Sequence, residues 1–413
     1  MIARFDWSDE ASRTAALARP RGRDNPALLD AVRTIVADVR ARGWPALVEQ
    51  AVRIDRAQPE CIAVASFAEE ARLTLPRAAL DAIDLAVRNI EAFHRQTRPR
   101  DIEVITMPGL AVAKEWRALG HAGLYIPGGK APLFSTLLML AIPARVAGVD
   151  RITVVTPPRP GGGLDAAIAL AAELCGIDAI WTLGGAQAIA ALAYGAGAIA
   201  PVDRICGPGN AWVAAAKALV ASLPGGPGID LPAGPSELMV IADDSANPAT
   251  VAADLLSQAE HDADAQVLLV SPSDALIAAV TAALGEQANR IRAIRSATLD
   301  EAAAIANAYA PEHLSLAIDD ADRLIPLIRN AGAIFAGHNA AETFGDYLAG
   351  SSHVLPTDGA ARFTGGVSTL TFMKAITVQR VCAETAKAIA APAAALARLE
   401  GLEAHALAAE CRA

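Results

Sequence analysis

Cysteine is scarce in this chain and basic residues are not clustered, and each shortage excludes a class of protein. The 413 residues include five cysteines and carry a formal net charge of −10. The cysteines are scattered and form no Cys-x-x-Cys pair, which favours reduced thiols over a disulfide scaffold or a thiolate zinc site. Because binding through counterion release requires clustered Lys and Arg, we expect no nucleic-acid partner.

Long apolar runs are also lacking. The most apolar stretch, Leu133 to Val149, is interrupted by Pro143 and Arg145, and so it would be a poor membrane span. The amino-terminal segment carries acidic residues and has no apolar core of the kind that a signal peptide needs. The sequence therefore predicts a cytoplasmic protein with no membrane partner.

The residues that are abundant are small and aliphatic. Hydrophobic residues make up 53% of the chain and aromatic residues only 4%, a composition typical of helices packed on parallel strands. From Arg151 onward, strands alternate with Gly-rich turns and helices, which is the repeating unit of a parallel sheet. A Gly/Pro-rich break at Leu223 to Gly234 separates this region from a second one of the same kind. The sequence predicts two α/β domains.

Three glycine turns lie after predicted strands, at Gly128-Gly129, Gly184-Gly185 and Gly207-Pro208-Gly209. Each turn can bring backbone N–H groups close to a phosphate, although close helix–strand packing explains the glycines equally well. The G-x-G-x-x-G fingerprint is incomplete, because Trp212 occupies the place of its third glycine. The usual dinucleotide grip is therefore not supported, and a looser one stays open.

Two short motifs place a histidine beside another polar side chain. Gln258 and His261 lie three residues apart on a helix predicted from Pro248 to His261, so they share one face; a solvent-facing helix end explains the pair better when it is taken alone. Glu312 and His313 precede a predicted strand, and an acid beside an imidazole can share the work of a base. The alternative for this second pair is an exposed charged loop.

Two further histidines belong to the same candidate site. A predicted glycine-rich loop, Gly345 to His353, presents Asp346 and His353, while His405 lies in the last predicted helix and acquires a role only if that helix docks on a site, for instance in a partner subunit. Together these motifs offer Gln, His, Asp and His without a thiolate. That donor set fits zinc, with manganese or cobalt as substitutes, and favours a catalytic over a structural ion.

Eight sequence blocks in order make the chain resemble the histidinol dehydrogenase family over nearly its whole length. The blocks are GLYIPGGKAPLFSTLLMLAIPARVAG, LGGAQAIAALAYG, VDRICGPGNAWVAAAK, IDLPAGPSELMVIAD, DLLSQAEHDADAQVLL, APEHL, GDYLAGSSHVLPT and LEGLEAH. The resemblance implies an NAD-dependent enzyme that oxidises L-histidinol through L-histidinal to L-histidine. It implies a homodimer with shared active sites, in which the carboxyl-terminal tail reaches the other subunit.

The resemblance also implies a role for each candidate residue. Zinc would be held by Gln258, His261, Asp346 and His405. The zinc would orient the substrate and would not activate water. His313 would take the hydroxyl proton in the first step, and Glu312 would activate water before the second. His353 would contact the reacting end of the substrate. Further substrate contacts would come from Ser236 and Glu400, and cofactor contacts from Tyr125, Gln187 and Asn210.

The fold implied by the resemblance is two Rossmann-like, aldehyde-dehydrogenase-like parallel-sheet domains without the glycine fingerprint. We expect residues 1–24 to form an arm, 25–105 with 235–370 to form the first domain, 106–234 the second domain, and 371–413 a helical tail. Two alternatives stay open: a related dehydrogenase of another small alcohol or sulfonated diol, and a non-catalytic binding protein. Retention of Ser236, Glu400 and His405 favours histidinol over the first, and an intact Glu312 and His313 pair argues against the second.

Overall fold

The computed structural model describes residues 2–20, 25–128, 133–231, 234–261 and 264–413. The expected turn residue Gly129 and parts of three of the blocks quoted above lie outside the described residues. The strands are β1 (Ala3–Asp6), β2 (Glu60–Ala63), β3 (Ile102–Met107), β4 (Leu110–Ala118), β5 (His121–Tyr125), β6 (Arg151–Thr156), β7 (Ala179–Thr182), β8 (Arg204–Cys206), β9 (Gly228–Ile229), β10 (Glu237–Ala242), β11 (Gln266–Ser271), β12 (Arg292–Arg295), β13 (His313–Ala317), β14 (Ala333–Ala336) and β15 (Met373–Val381).

The helices of the described residues cover the faces and ends of the sheets. They are α1 (Glu10–Ala16), α2 (Pro26–Arg42), α3 (Trp44–Ile54), α4 (Ala65–Thr74), α5 (Arg77–Thr97), α6 (Phe134–Ala147), α7 (Ala166–Leu174), α8 (Gly185–Tyr194), α9 (Ala211–Ser222), α10 (Pro248–Ala259), α11 (Asp274–Leu284), α12 (Leu299–Tyr309), α13 (Ala321–Leu324), α14 (Glu342–Tyr347), α15 (Ala383–Leu399) and α16 (Glu403–Glu410). Within the described ranges, no helix is both long and apolar enough to cross a membrane.

The first sheet has six parallel strands in the order β1-β12-β11-β10-β13-β14. Its central strands β10 and β13 are buried along their whole length, as expected for a sheet covered by helices on both faces. Strands β11 and β12 lie on one side of β10, and the chain then crosses to the other side to form β13. Leu238 pairs with His313, and this register places the amino ends of β10 and β13 side by side.

The second sheet has the strand order β2-β7-β6-β5-β8-β9, and all its pairs are parallel except the antiparallel pair of β2 and β7. The order reverses between β5 and β8, because β6 and β7 follow β5 on one side and β8 lies on the other. Such a switch point opens a crevice at the carboxyl ends of the strands, where ligands of α/β proteins bind. The prediction of two parallel-sheet α/β domains is confirmed.

The structure divides the chain differently from the expected domain boundaries. Residues 25–105 belong with residues 106–234, because β2 pairs with β7 and α2 packs against α8 and α9. The expected amino-terminal arm contributes β1 to the edge of the first sheet. These segments join sheets through pairings distant in sequence, which local periodicity does not reveal.

The carboxyl-terminal segment is not helical throughout. Residues 373–381 form β15, which pairs antiparallel with β4 in a three-stranded sheet of order β15-β4-β3. Helices α15 and α16 follow and pack against each other. The tail is tied to the β3–β4 turn by the Thr385 hydroxyl, which donates to the Pro108 carbonyl at 2.6 Å.

Candidate functional site

The backbone of one residue, Glu237, holds the predicted catalytic pair. Its N–H donates to Glu312 Oε2 at 2.8 Å, and its carbonyl oxygen lies 3.0 Å from His313 Nδ1. Glu312 immediately precedes β13, and His313 is the first residue of that strand. Both side chains are buried, so the alternative of an exposed charged loop does not apply. The pair lies at the amino ends of β10 and β13.

The hydrogen bond to Glu237 fixes the tautomer of His313. A carbonyl oxygen only accepts, so Nδ1 carries the proton and Nε2 carries the lone pair. Nε2 is buried and has no hydrogen-bond partner among the described residues. Burial lowers the pKa of His313 to about 3, against the opposing hydrogen bond to Glu237. The imidazole is therefore neutral near pH 7, with a free acceptor nitrogen facing the site.

A cluster of carboxyl groups surrounds this histidine. Glu312 Oε2 and Glu342 Oε1 lie 3.6 and 3.5 Å from His313 Nδ1, and Asp346 Oδ1 lies 3.9 Å from Nε2. Burial is the largest cause that raises the pKa of each acid: that of Glu312 rises well above its usual range, that of Glu342 to about 9 and that of Asp346 to about 6. Acids crowded in this way attract a cation or retain protons.

The donor set fits a divalent ion, although it differs in part from the predicted one. One nitrogen of His313 and one oxygen each of Glu342 and Asp346 lie within 4.8 Å of one another. Of these three, only Asp346 is among the predicted zinc ligands. Asp346 lies on helix α14, so the expectation of a loop from Gly345 to His353 is wrong for its first three residues. Glu342, one helical turn earlier, was not predicted as a site residue.

Gln258 is joined to the cluster through Glu342 and Glu237. It lies in the last turn of α10 and is fully buried. In the amide orientation that satisfies both neighbours, its nitrogen donates to Glu342 Oε1 and its oxygen accepts from Glu237 N–H at 3.3 Å. The alternative of a solvent-facing helix end therefore does not hold for Gln258.

His261 lies two residues beyond the end of α10 at Ala259, so the helix predicted from Pro248 to His261 is two residues too long. Its side chain is exposed, and its Nδ1 donates to the Ser257 carbonyl at 2.9 Å. That bond leaves Nε2 with a lone pair, the arrangement found in histidines that bind metals. Burial raises the pKa of Asp346, and a positive charge on His261 would oppose that rise, so the two side chains lie within electrostatic reach of each other.

His353 closes the other side of the cluster. Its Nδ1 donates to the Asp346 carbonyl at 3.1 Å, and its Nε2 accepts from the Thr136 hydroxyl at 3.0 Å. Burial lowers the pKa of His353 to about 4. This neutral imidazole ties α14 to α6 of the other domain.

Glu400 and His405 stand apart from the cluster in one chain. Glu400 ends α15 and His405 lies on α16, and both are exposed. No hydrogen bond or ion pair among the described residues joins either side chain to Glu312, His313 or Asp346. The structure of a single chain therefore brings together the other predicted zinc and substrate residues but not these two.

The three predicted cofactor residues line one cavity. Tyr125, Gln187 and Asn210 border a space of about 740 Å³ at the carboxyl edge of the second sheet. The Tyr125 hydroxyl accepts from Gly185 N–H at 3.3 Å, and the Asn210 side chain caps α9 by accepting from two backbone N–H groups. Gln187 is fully buried, and its Oε1 has no hydrogen-bond partner in the described part of the chain. The volume suits a cofactor-sized ligand.

A smaller cavity of about 70 Å³ lies where the two domains meet. Its lining includes Gly207 and Pro208, which follow β8 of the second sheet, and Ser236, Glu312 and His353 from the catalytic side. The carboxyl edge of the second sheet thus faces the amino edge of the first. Both cavities border the turn after β8, because Gly209 and Asn210 line the larger one and Gly207 and Pro208 line the smaller one.

Two parallel α/β domains, a ligand cavity at a topological switch point and a buried carboxyl–imidazole cluster between them are typical of an α/β enzyme that brings a cofactor to a substrate. The histidinol dehydrogenase family model matches residues 18–413. The chain belongs to the histidinol dehydrogenase family.

Individual histidinol dehydrogenases are similar in sequence to this chain over nearly its whole length. Histidinol dehydrogenase of Xanthomonas euvesicatoria pv. vesicatoria is 46% identical over 97% of this chain and 97% of its own. That of Caulobacter vibrioides is 44% identical over 100% and 99%. The crystal structure of histidinol dehydrogenase from Elizabethkingia anophelis is 36% identical, covers 100% of this chain and 98% of its own, and superposes with a TM-score of 0.94.

Sequence reasoning missed several residues that shape the site. Arg19 donates twice to the buried Glu237 carboxylate, at 2.6 and 3.0 Å, and its guanidinium lies 3.8 Å from the ring centroid of Tyr309. Asp55 lines the cofactor cavity. Glu342 offers the one usable signal, because it precedes Asp346 by four residues and a helix places such a pair on one face. Arg19 and Asp55 belong to no motif.

Proposed function

We propose that this chain oxidises L-histidinol through L-histidinal to L-histidine, the last steps of histidine biosynthesis, with two NAD as cosubstrates and one zinc ion per subunit. The observation that carries the proposal is the buried Glu312–His313 pair in a chain of this family, with His313 Nε2 unpaired and facing the carboxyl cluster. Neighbouring Gln258, His261 and Asp346 supply the amide, imidazole and carboxylate donors that zinc accepts.

In the first half-reaction, His313 Nε2 would accept the hydroxyl proton of the alcohol, and the hydride on the carbon that bears this hydroxyl would pass to NAD held in the larger cavity. The resulting imidazolium retains Nδ1–H toward the Glu237 carbonyl. Glu312, Glu342 and Asp346 surround the ring within 4 Å, and any of them that is ionised stabilises the positive charge. A pKa held low in the free site keeps the imidazole in its proton-accepting form beforehand.

In the second half-reaction, water would add to the aldehyde, and the hydrate would then give a hydride to the second NAD and a hydroxyl proton to a base. Glu312 is the base for the water, because its carboxyl group borders the small cavity with Ser236 and His353. It must be ionised for this task, and burial among other acids opposes ionisation. A bound cation lowers the pKa of neighbouring acids and so favours the carboxylate.

Gln258, His261 and Asp346 would hold the zinc, with His405 supplied by the second subunit of a homodimer. The ion, when bound, orients the imidazole and amino nitrogens of the substrate. Glu400 of the same tail would contact the substrate, as would Ser236. Tyr125, Gln187 and Asn210 would contact NAD in the larger cavity. The homodimer and a cytoplasmic location belong to this proposal.

The test is turnover with L-histidinol before and after removal of the metal. We expect purified, zinc-loaded protein to reduce NAD, to lose the activity when dialysed against a chelator, and to regain it with added zinc. Retention of full activity in protein shown by elemental analysis to be metal-free would contradict the zinc assignment. Absence of NADH from folded, zinc-loaded protein would contradict histidinol as the substrate.

A further inference from the structure

The carboxylate of Asp55 lies in the wall of the larger cavity, which we propose binds the cofactor. Asp55 follows α3 and lines the cavity together with Tyr125 and Gln187. Its Oδ2 accepts from Gly184 N–H and from Gln187 Nε2–H, each at 3.0 Å. Its Oδ1 accepts no hydrogen bond within the described ranges. Asp55 therefore presents a free acceptor to the cavity from a side chain that is held in place.

This arrangement disfavours a phosphate at the Gly184-Gly185 turn before α8. In many nucleotide-binding folds, the helix after a glycine turn binds phosphate with its free N–H groups. Here the Gly184 N–H is bound by Asp55, and the Gly185 N–H by the Tyr125 hydroxyl. A phosphate placed at this turn would meet the Asp55 carboxylate and would find both of these N–H groups already bonded. A ligand group with hydroxyl donors would instead meet the free Oδ1 and the unpartnered buried Oε1 of Gln187.

The position along the sheet indicates which part of a dinucleotide lies there. Asp55 bonds to the turn after β7, whereas the small cavity with Glu312 adjoins the turn after β8. Three strand spacings separate β7 from β8 in the sheet order, a distance of about 14 Å. Since the nicotinamide must reach the catalytic side, the adenosine end lies on the side of β7.

We propose that Asp55 accepts the hydroxyls of the adenosine ribose and selects against dinucleotides that carry a 2′-phosphate. The inference rests on the proposed use of NAD and adds the residue that would set the choice between NAD and NADP. A carboxylate accepts from the two hydroxyls of a vicinal diol, and it repels a phosphate placed on either one.

One cation lies close enough to oppose this selection. Arg53 lines the same cavity, and its guanidinium donates to Gln50 Oε1 at 2.5 Å on the exposed face of α3. Removal of the Asp55 charge would leave Arg53 as the nearest charged side chain of the cavity lining. The Asp55→Asn variant should therefore tolerate a 2′-phosphate, and adding Arg53→Gln to that variant should reverse part of the gain.

The experiment measures binding in the absence of histidinol, so that it does not depend on turnover. Isothermal titration calorimetry with ADP-ribose and with 2′-phospho-ADP-ribose is performed on the zinc-loaded protein and on Asp55→Asn. We expect the unmodified protein to prefer ADP-ribose by roughly 100-fold and the variant to prefer it by less than about 10-fold. Asp30→Asn, which removes an exposed carboxylate on α2 outside the cavity lining, should leave the preference unchanged.

Three outcomes would overturn the inference. They are equal affinities in the unmodified protein, an unchanged preference in Asp55→Asn, and a change of the same size in Asp30→Asn. Should Asp55→Asn fail to fold, Asp55→Glu keeps the charge and moves it by one methylene, and the preference should persist with weaker binding. If the unmodified protein forms NADH from histidinol but Asp55→Asn keeps the same preference for ADP-ribose, only the role of Asp55 is refuted. If the unmodified protein binds ADP-ribose selectively but forms no NADH from histidinol, only the proposed substrate is refuted.

Discussion

At the scale of single residues, the backbone of Glu237 holds both proposed catalytic side chains. The N–H and the carbonyl of Glu237 fix Glu312 and His313 at once, so that the acid and the base keep a constant separation. The Glu237 side chain is anchored in turn by Arg19. The pair itself was predictable, because Pro-Glu-His before a strand is visible in the sequence. The role of Glu237 was not predictable, because a residue of any type can form these backbone hydrogen bonds.

The first prediction concerns Glu312. The Glu312→Gln variant should oxidise L-histidinal roughly 10²- to 10⁴-fold more slowly than the unmodified protein, because the amide cannot take a proton from water. The measurement is NADH formation from added L-histidinal, with Glu286→Gln as an exposed control. Oxidation of histidinal at the unmodified rate by folded Glu312→Gln would show that another group activates the water.

The second prediction concerns Arg19. Arg19→Met removes the partner of a buried carboxylate and should lower the free energy of unfolding by about 3–5 kcal/mol, because Glu237 is only 1% exposed on its side chain. Urea unfolding followed by circular dichroism measures the loss. Arg33→Met, which breaks an exposed pair with Asp30 on α2, should change it by less than about 1 kcal/mol. Equal losses in both variants would contradict the structural role of Arg19.

At the scale of elements, the two sheets use opposite edges for function. The proposed cofactor residues lie at the carboxyl end of β5 and after the carboxyl ends of β7 and β8, as the switch-point rule anticipates, whereas the proposed catalytic pair lies at the amino ends of β10 and β13. The buried strands were predictable from their continuous apolar runs. Helix α14 was not, because the glycines around Asp346 favour a loop by local criteria. The packing of α14 fixes this helix, because Gly345 lies against the Phe335 ring so closely that a Cβ atom there would clash with it.

The third prediction concerns His94 on α5, which is fully buried with neither ring nitrogen hydrogen-bonded among the described residues. Burial lowers the pKa of His94 from 6.5 to about 4. Between these two values the unfolded chain binds more protons at His94 than the folded chain, so this residue's contribution to stability is present above pH 6.5 and is lost as the pH falls toward 4.

The measurement compares urea unfolding of the unmodified protein and of His94→Leu at several pH values. As the pH is lowered from 6.5 to 4, the unfolding free energy of the unmodified protein should fall relative to that of His94→Leu. The difference between the two free energies should be constant above pH 7, where His94 is neutral in both states. A pH-independent difference across the whole range would mean that His94 does not titrate on unfolding.

At the scale of the whole molecule, the separation of the tail from the site agrees with a site shared between subunits. Glu400 follows α15 and His405 lies on α16, and both are exposed, as are the neighbouring apolar residues Leu399, Leu402 and Leu407. The motif LEGLEAH was recognisable in the sequence, but the place where it docks was not. A second chain contributes the missing contacts in the proposed homodimer, and a single chain does not contain them.

The fourth prediction tests the shared site by complementation. His405→Asn and His261→Asn proteins should each be inactive, and refolding them together should restore about a quarter of the unmodified activity, because half of the dimers are mixed and each mixed dimer has one intact site. Refolding each variant alone is the control. No recovery in mixtures shown by native mass spectrometry to contain mixed dimers would place His405 in its own subunit's site.

The proposed reaction is a four-electron oxidation at one carboxyl–imidazole cluster, and the stoichiometry of NADH distinguishes it from a two-electron oxidation. Zinc-loaded protein is given a limiting, known amount of L-histidinol with excess NAD, and the absorbance of NADH is followed to completion while the product is identified by chromatography. We expect two NADH per histidinol, with L-histidine as the product. One NADH per histidinol with L-histidinal accumulating, or no NADH at all, would contradict the proposed reaction.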